Sequence, residues 1–291
     1  MTVLVDRRTV LDWVEGPVAA GLPGGTAAGP LAVAAPGRYL LTLPGVGRFL
    51  VERDRRVTVS RAPEATDADI ACFLAGPIRQ AGWLQRGWFA LRGCGVVIGG
   101  RAVVITGHTA SGTSTLTAAL ALRGHPVLAD GAVPIHATTG SARALAGSAR
   151  APTGPVAEAA DDSVQLWPKA MDRLGLGAGA GTEIRPGLGK RRVRFAPAAR
   201  SPLAAVVALH RHPDIGAPAI RAAQGMAGVA VLCEHTALRP AVDALAGAAT
   251  HFRWATAVAA AVTVVDLCTD GHRWDLDAAA DAIELIAAGR S

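Results

Sequence analysis

Aromatic residues are scarce, at 4% of the 291 residues, and the apolar 51% is mostly Ala, Val and Leu. A sizeable core is still allowed, in one large domain or in a small module joined to a larger one. Cysteine is scarcer: Cys72, Cys94, Cys233 and Cys268 stand far apart and form no CxxC pair. That spacing excludes a zinc site and a disulfide-rich secreted scaffold. Long apolar runs are missing too. The stretch from Trp254 to Val265 is about a dozen residues, against the ~20 needed to span a bilayer. The N-terminus has no continuous apolar segment and carries Asp6, Arg7 and Arg8 early, so no signal peptide is expected and the expected location is cytoplasmic. No G-x-S-x-G elbow occurs, which removes the commonest hydrolase signature. Acidic residues are outnumbered, 23 against 29 Lys and Arg, for a net charge of +6. The excess is scattered Arg, with one compact run at Lys190, Arg191 and Arg192 and no basic face interleaved with aromatics. Neither nucleic acid nor a membrane is an expected partner.

What is present begins with short β-type segments. Tyr39 to Leu43, Arg48 to Glu52 and Arg56 to Val59 alternate or are β-branched, with Pro44-Gly45 and Asp54-Arg55 as turns. Residues 19 to 36, rich in Gly, Pro and Ala, read as loop. Residues 1 to 65 therefore read as a β-rich N-terminal module, and 66 to 291 as a larger α/β domain. Ile70, Phe73, Leu74 and Ile78 recur at helical spacing, followed by a second apolar group from Trp83 to Leu91. Cys94 to Ile98 and Ala102 to Thr106, joined by Gly99-Gly100, read as a hairpin. A helix is expected over Ser114 to Arg123, with Gly124 as its stop, and a short buried strand over Pro126 to Ala129. Residues 137 to 160, low in complexity, read as a mobile loop. Further expectations are a strand over 203 to 209, a helical stretch over 216 to 232, a strand over 262 to 267 and an amphipathic helix over 276 to 288. Alternating strands and helices after residue 94 argue for an α/β core.

The segment that carries chemistry runs from Gly107 to Thr115: Gly107, His108, Thr109, Ala110, Ser111, Gly112, Thr113, Ser114, Thr115. It has the spacing of the phosphate-binding loop G-x-x-x-x-G-K-[ST] and lies between a predicted strand and a predicted helix. Glycines let backbone N–H groups curl around phosphate oxygens, and the helix N-terminus adds partial positive charge. Ser114 would supply a hydroxyl to Mg²⁺, but the position of the loop lysine is held by Thr113. The plain alternative is a Gly/Ser-rich turn that caps a helix. Asp130 ends the next strand, where such proteins place a metal-holding carboxylate; Asp-Gly is also a favoured turn pair. His210 and His212 have metal-like spacing without neighbouring ligands and read as exposed loop histidines, as do Glu234-His235 and Asp270-Gly271-His272. Asp161-Asp162 reads as the cap of a short element.

With these motifs in place, the chain resembles the C-terminal domain of HPr kinase/phosphorylase. The likeness is carried by Phe73 to Pro77, Leu91-Arg92-Gly93, Val104 to Gly107, Ser111-Gly112, Ser114-Thr115-Leu116, Arg123-Gly124 and Leu128-Ala129-Asp130. It extends to HPr kinase-related proteins found beside peptide-modification genes, with Gly189-Lys190-Arg191 as a further shared element. The resemblance implies a P-loop α/β fold with a core like that of phosphoenolpyruvate carboxykinase. It also implies transfer of phosphate from ATP, with Mg²⁺, to a Ser-type hydroxyl of a peptide or small protein. Three positions depart from the family: Thr113 replaces Lys, Gly131 replaces a second Asp, and Arg92 stands where a His precedes Gly. On this reading Gly107, His108, Ser111, Gly112, Thr113, Ser114 and Thr115 cradle the nucleotide, and Ser114 and Asp130 hold the metal. Arg92 or Lys190 stabilises charge, while the 190–192 run can equally be a solvated turn. Asp130 or water takes the acceptor proton. Two alternatives stand beside the kinase: a pseudokinase that binds peptide or nucleotide without turnover, and a site for another anion. Homo-oligomer formation is left open.

Overall fold

The computed structural model describes residues 12–52, 56–137, 154–177, 179–212, 217–271 and 274–289. Among the described residues the chain is mixed α/β, built from three sheets with helices against the largest. The first sheet holds β1 (Asp12–Glu15), β2 (Thr26–Ala27), β3 (Ala32–Ala35), β4 (Arg38–Leu43), β5 (Gly47–Glu52) and β6 (Arg56–Arg61). Its order is β1-β6-β5-β4-β3-β2, antiparallel except where β1 runs parallel to β6. The expected loop over 19 to 36 thus contains two strands. Ala32, Ala34 and Ala35 are buried, and small side chains suffice where β3 lies against β4.

Thr66 then caps α1 (Asp67–Phe73) in a reciprocal box with Asp69. A kink at Gly76-Pro77 leads into α2 (Arg79–Gln85). The main sheet follows, with β7 (Phe89–Ile98), β8 (Arg101–Gly107), β9 (Val127–Ala129), β10 (Ala132–His136), β11 (Val156–Ala157), β15 (Ser201–His212), β16 (Ala219–Ala222) and β17 (Thr263–Asp270). Its order is β11-β10-β7-β8-β15-β17-β16, with β9 beside β7. The three central strands β8, β15 and β17 are parallel. Their near-continuous apolar runs fit strands covered on both faces. A third sheet is made by β12 (Ser163–Leu166), β13 (Thr182–Glu183) and β14 (Arg191–Arg194), in the order β12-β14-β13.

Side-chain alternation splits the central strands between two layers. Ile105, Val207, Leu209, Val265 and Leu267 pack with Leu116 and Leu120 of α3 (Thr113–Leu122) and with Ile283 and Ile286 of α8 (Leu276–Ala287). Val104, Val206 and Val264 face the opposite way, toward Val229 and Leu232 of α5 (Met226–Glu234) and Val258 of α7 (Ala248–Ala261). Among the described residues, the remaining α-helices are α4 (Pro168–Arg173) and α6 (Val242–Leu245), with a 3-10 turn at Arg239–Ala241 between α5 and α6.

The hairpin, the helix after the loop, the 203–209 and 262–267 strands and the terminal helix form as expected. The 216–232 stretch does not form one helix. Gly225, at φ 57°, separates edge strand β16 from α5. The low-complexity segment lies mostly outside the described residues, but β11 at its end is buried and paired with both β10 and β15. Among the described residues no helix is long and apolar enough to cross a membrane.

Candidate functional site

β8 delivers Gly107 beside Leu209 of β15, at the carboxyl ends of the parallel strands. A Cβ at Gly107 would lie 2.5 Å from Ser111 Oγ and 2.8 Å from the Leu209 carbonyl oxygen, so the loop folds back on itself only over a glycine. The Ser111 N–H donates to the His108 carbonyl at 3.0 Å, and Ala110 adopts φ 68°. Gly112 caps α3 at φ 100°, where L side chains are strained, and a Cβ there would stand 2.6 Å from the Trp274 ring. The free N–H groups of the first helical turn and the positive end of the helix dipole lie at the end of this loop.

Asp130 closes the other side, where β9 ends. Its Oδ1 accepts from Ser114 Oγ at 3.0 Å and from Cys94 Sγ at 2.9 Å, and its Oδ2 accepts from the Gln165 backbone N–H at 2.6 Å. The carboxylate is 8% exposed. Burial pushes the Cys94 thiol well up, and the Asp130 charge pushes it further, so the sulfur stays protonated and donates. The two expected metal-site residues, 16 positions apart, are thus in direct contact.

Two cavities flank the loop. The smaller, about 200 Å³, is lined by Arg92, His108, Thr113, Ser114, Asp130 and Lys190, among others. It therefore gathers all three expected catalytic residues beside the loop. The larger, about 610 Å³, lies over Gly112 to Thr115 and reaches Trp167, Lys169, Arg173, Lys190, Arg211 and Trp274. Lys190 borders both cavities, with Nζ 5.7 Å from the Trp167 ring centroid. Its neighbours do structural work instead. Arg191 donates to the carbonyls of Ala180 and Gly181, and Arg192 lies on β14 beside β12.

Several pairs expected as loop residues are otherwise placed. His210 and His212 sit on β15, and His210 Nε2 is 2.8 Å from Asp266 Oδ1 of β17. Glu234 ends α5 and His235 caps it, 1% exposed; His108 of the loop approaches Glu234 at 3.2 Å. Burial lowers the His235 pKa to about 4, with Arg92, His108 and His210 opposing protonation and Glu234 favouring it. His272 lies outside the described residues. Asp161 accepts from the N–H and Oγ of Ser163 at the start of β12, as a cap does. Among the described residues no group of three or more His, Cys, Asp or Glu side chains is arranged to hold a metal.

No protein-family model matches the chain, and no curated protein matches it. Among solved structures, the chain is similar to the Hpr(Ser) kinase/phosphatase from Coxiella burnetii. Sequence identity is 14% and the TM-score 0.34, over 69% of this chain and 94% of that one.

Beyond the loop residues and Lys190, the lining of the larger cavity was not legible in the sequence. Trp167, Lys169, Arg173, Arg211 and Trp274 come from separated segments, and none belongs to a motif. Arg211 is hidden between two histidines, whose spacing draws attention to the opposite face of the same strand.

Proposed function

We propose that the chain is a kinase-like phosphotransferase that moves the terminal phosphate of ATP to a Ser-type hydroxyl of a peptide or small protein. The observation that carries this reading is the contact between Ser114 Oγ and Asp130 Oδ1, at 3.0 Å, at the end of the Gly107–Gly112 loop. A hydroxyl and a carboxylate side by side under a phosphate loop are the two protein donors that hold Mg²⁺ in such sites. Both are oxygen donors, and two suffice, because Mg²⁺ keeps several waters and takes the rest of its shell from phosphate. When bound, the ion would neutralise charge on the phosphate oxygens.

The chain's own groups do the rest. Loop N–H groups and the α3 N-terminus bind phosphate oxygens, and Arg92 and Lys190 face the smaller cavity with cations that stabilise charge developing in transfer. The acceptor oxygen attacks the terminal phosphorus, the bond from that phosphorus to the bridging oxygen breaks, and ADP leaves with that electron pair. Asp130 is a poor choice of base, because its oxygens already accept from three donors. Water or His108, which lines the same cavity and is oriented by Glu234, takes the hydroxyl proton. The pseudokinase reading is favoured by one observation: positions 113 and 131, Thr and Gly, both line that cavity without a charge.

Calorimetric titration with ATP and GTP, with and without Mg²⁺, followed by an assay for ADP release, tests the reading. The expected result is micromolar binding that requires Mg²⁺ and is abolished in Asp130→Ala. Binding without ADP release in the presence of candidate peptides supports the pseudokinase, and no binding at millimolar nucleotide overturns both.

A further inference from the structure

Thr113 leaves the phosphate loop without its own cation, and the fold places cations around it from elsewhere. Arg173 ends α4 and Arg211 lies near the end of β15, on the face that β15 turns toward α3. Both guanidinium groups pack on the Trp274 ring, at 5.4 and 5.1 Å from its centroid. Each is anchored by a backbone carbonyl: Arg173 donates to that of Trp274, and Arg211 to that of Gly271 at 2.9 Å. Among the described residues no carboxylate pairs with either of them, nor with Lys169 or Lys190. Arg123, by contrast, is held by Asp277, Asp281 and Glu284. Among the described residues, the lining of the 610 Å³ cavity therefore has four cationic side chains and no acidic one.

Trp274 itself is 5% exposed, and its ring edge abuts Gly112, so it is a strut rather than a platform. Its Nε1 and the hydroxyl of Ser111 are buried without a hydrogen-bond partner among the described residues. Trp167, in contrast, is 52% exposed at the cavity wall, with Lys190 Nζ over its ring at 5.7 Å.

We propose that this cavity is the nucleotide subsite: Arg173 and Arg211, braced on Trp274, replace the missing loop cation at the phosphate chain, and Trp167 stacks the base. The ligand class is a planar base joined to a chain of several phosphates. A guanidinium grips two phosphate oxygens at once, where an ammonium acts as a point charge. Among the described residues, the wall has no carboxylate to repel that charge. This assignment rests on the nucleotide reading above, but not on phosphoryl transfer.

The test measures binding of MgATP, inorganic tripolyphosphate and adenosine to the full chain, by calorimetry and tryptophan fluorescence. The variants are Arg211→Gln, Arg211→Lys, Arg173→Gln, Trp167→Ala and Thr113→Lys, each checked by thermal melting. Arg211 and Trp167 are exposed, so their variants are expected to fold. Loss of the Arg211 guanidinium is expected to weaken ATP and tripolyphosphate about tenfold, with partial recovery in Arg211→Lys. Trp167→Ala is expected to weaken ATP and leave tripolyphosphate unchanged, while Thr113→Lys changes ATP affinity less than Arg211→Gln does. Wild-type binding of ATP that none of the arginine variants alters overturns the subsite and leaves the loop reading standing. Arginine-dependent binding without ADP release when candidate peptides are added keeps the subsite and favours the pseudokinase over the transferase. No binding of either phosphate ligand by the wild type overturns both.

Discussion

At the scale of single residues, the most consequential group is a histidine that no motif contains. His235 is buried, its Nδ1 has no partner among the described residues, and its pKa falls to about 4. The folded protein therefore keeps the ring neutral where the unfolded chain, with a pKa near 6.5, protonates it. Stability from this group is complete above about pH 6.5 and is lost as the pH falls toward 4, by at most about 1.4 kcal/mol per pH unit. His136 and His251 are also lowered by burial and act in the same direction. Urea denaturation between pH 4 and 7 is expected to show a shallower slope for His235→Gln than for the wild type. An equal slope would place the coupling elsewhere.

Gly131 offers a second test at this scale. It sits at φ 90°, and a Cβ added there would meet nothing within 4 Å, so Asp fits the space but not the backbone. Gly131→Asp is expected to cost about 1–2 kcal/mol in a thermal melt, the cost of a left-handed L residue. Adding a second carboxylate beside Asp130 therefore carries a conformational penalty that the sequence does not disclose.

At the scale of elements, the loop and its helix depend on what packs against them. Gly112→Ala adds a methyl where the Trp274 ring stands 2.6 Å away, on a backbone already at φ 100°. The ring must move, carrying the faces on which Arg173 and Arg211 rest. The expected outcome is a loss of about 1–3 kcal/mol, together with a shift in tryptophan emission. Unchanged emission would show that the ring was not seated on the loop. Helix α8 has a separate anchor, since Asp275 accepts from the Ala278 N–H at 2.9 Å. Asp275→Ala is expected to cost about 1 kcal/mol by thermal melting.

At the scale of the whole molecule, the N-terminal sheet and the main sheet share one apolar core. Tyr39, Phe49, Val57 and Val59 belong to the same buried cluster as Ile70, Phe89, Val104 and Val206. Phe49→Ala, at a fully buried position, is expected to cost about 3–5 kcal/mol. Because the cluster is continuous, the loss is expected to lower a single calorimetric transition. A separate low-temperature transition in that variant would show that residues 12–61 unfold as an independent unit.

Local chemistry made much of this chain readable from its sequence. The Gly-Gly hairpin, the apolar runs of β8, β15 and β17, and the Gly107–Gly112 loop before α3 follow from residues adjacent in the chain. Turn preference, burial on both faces and helix capping are all short-range effects. The 19–36 and 216–232 stretches depart from what their composition suggests, because alanine serves strand and helix alike when its neighbours supply the packing. Only the tertiary structure decided that Asp130 meets Ser114, that His235 is buried, and that Arg173, Lys190, Arg211 and two tryptophans surround one loop. Those groups lie as far as 107 positions apart, from Trp167 to Trp274. Their meeting depends on strand order and on which face of each strand a side chain takes, which no local pattern encodes.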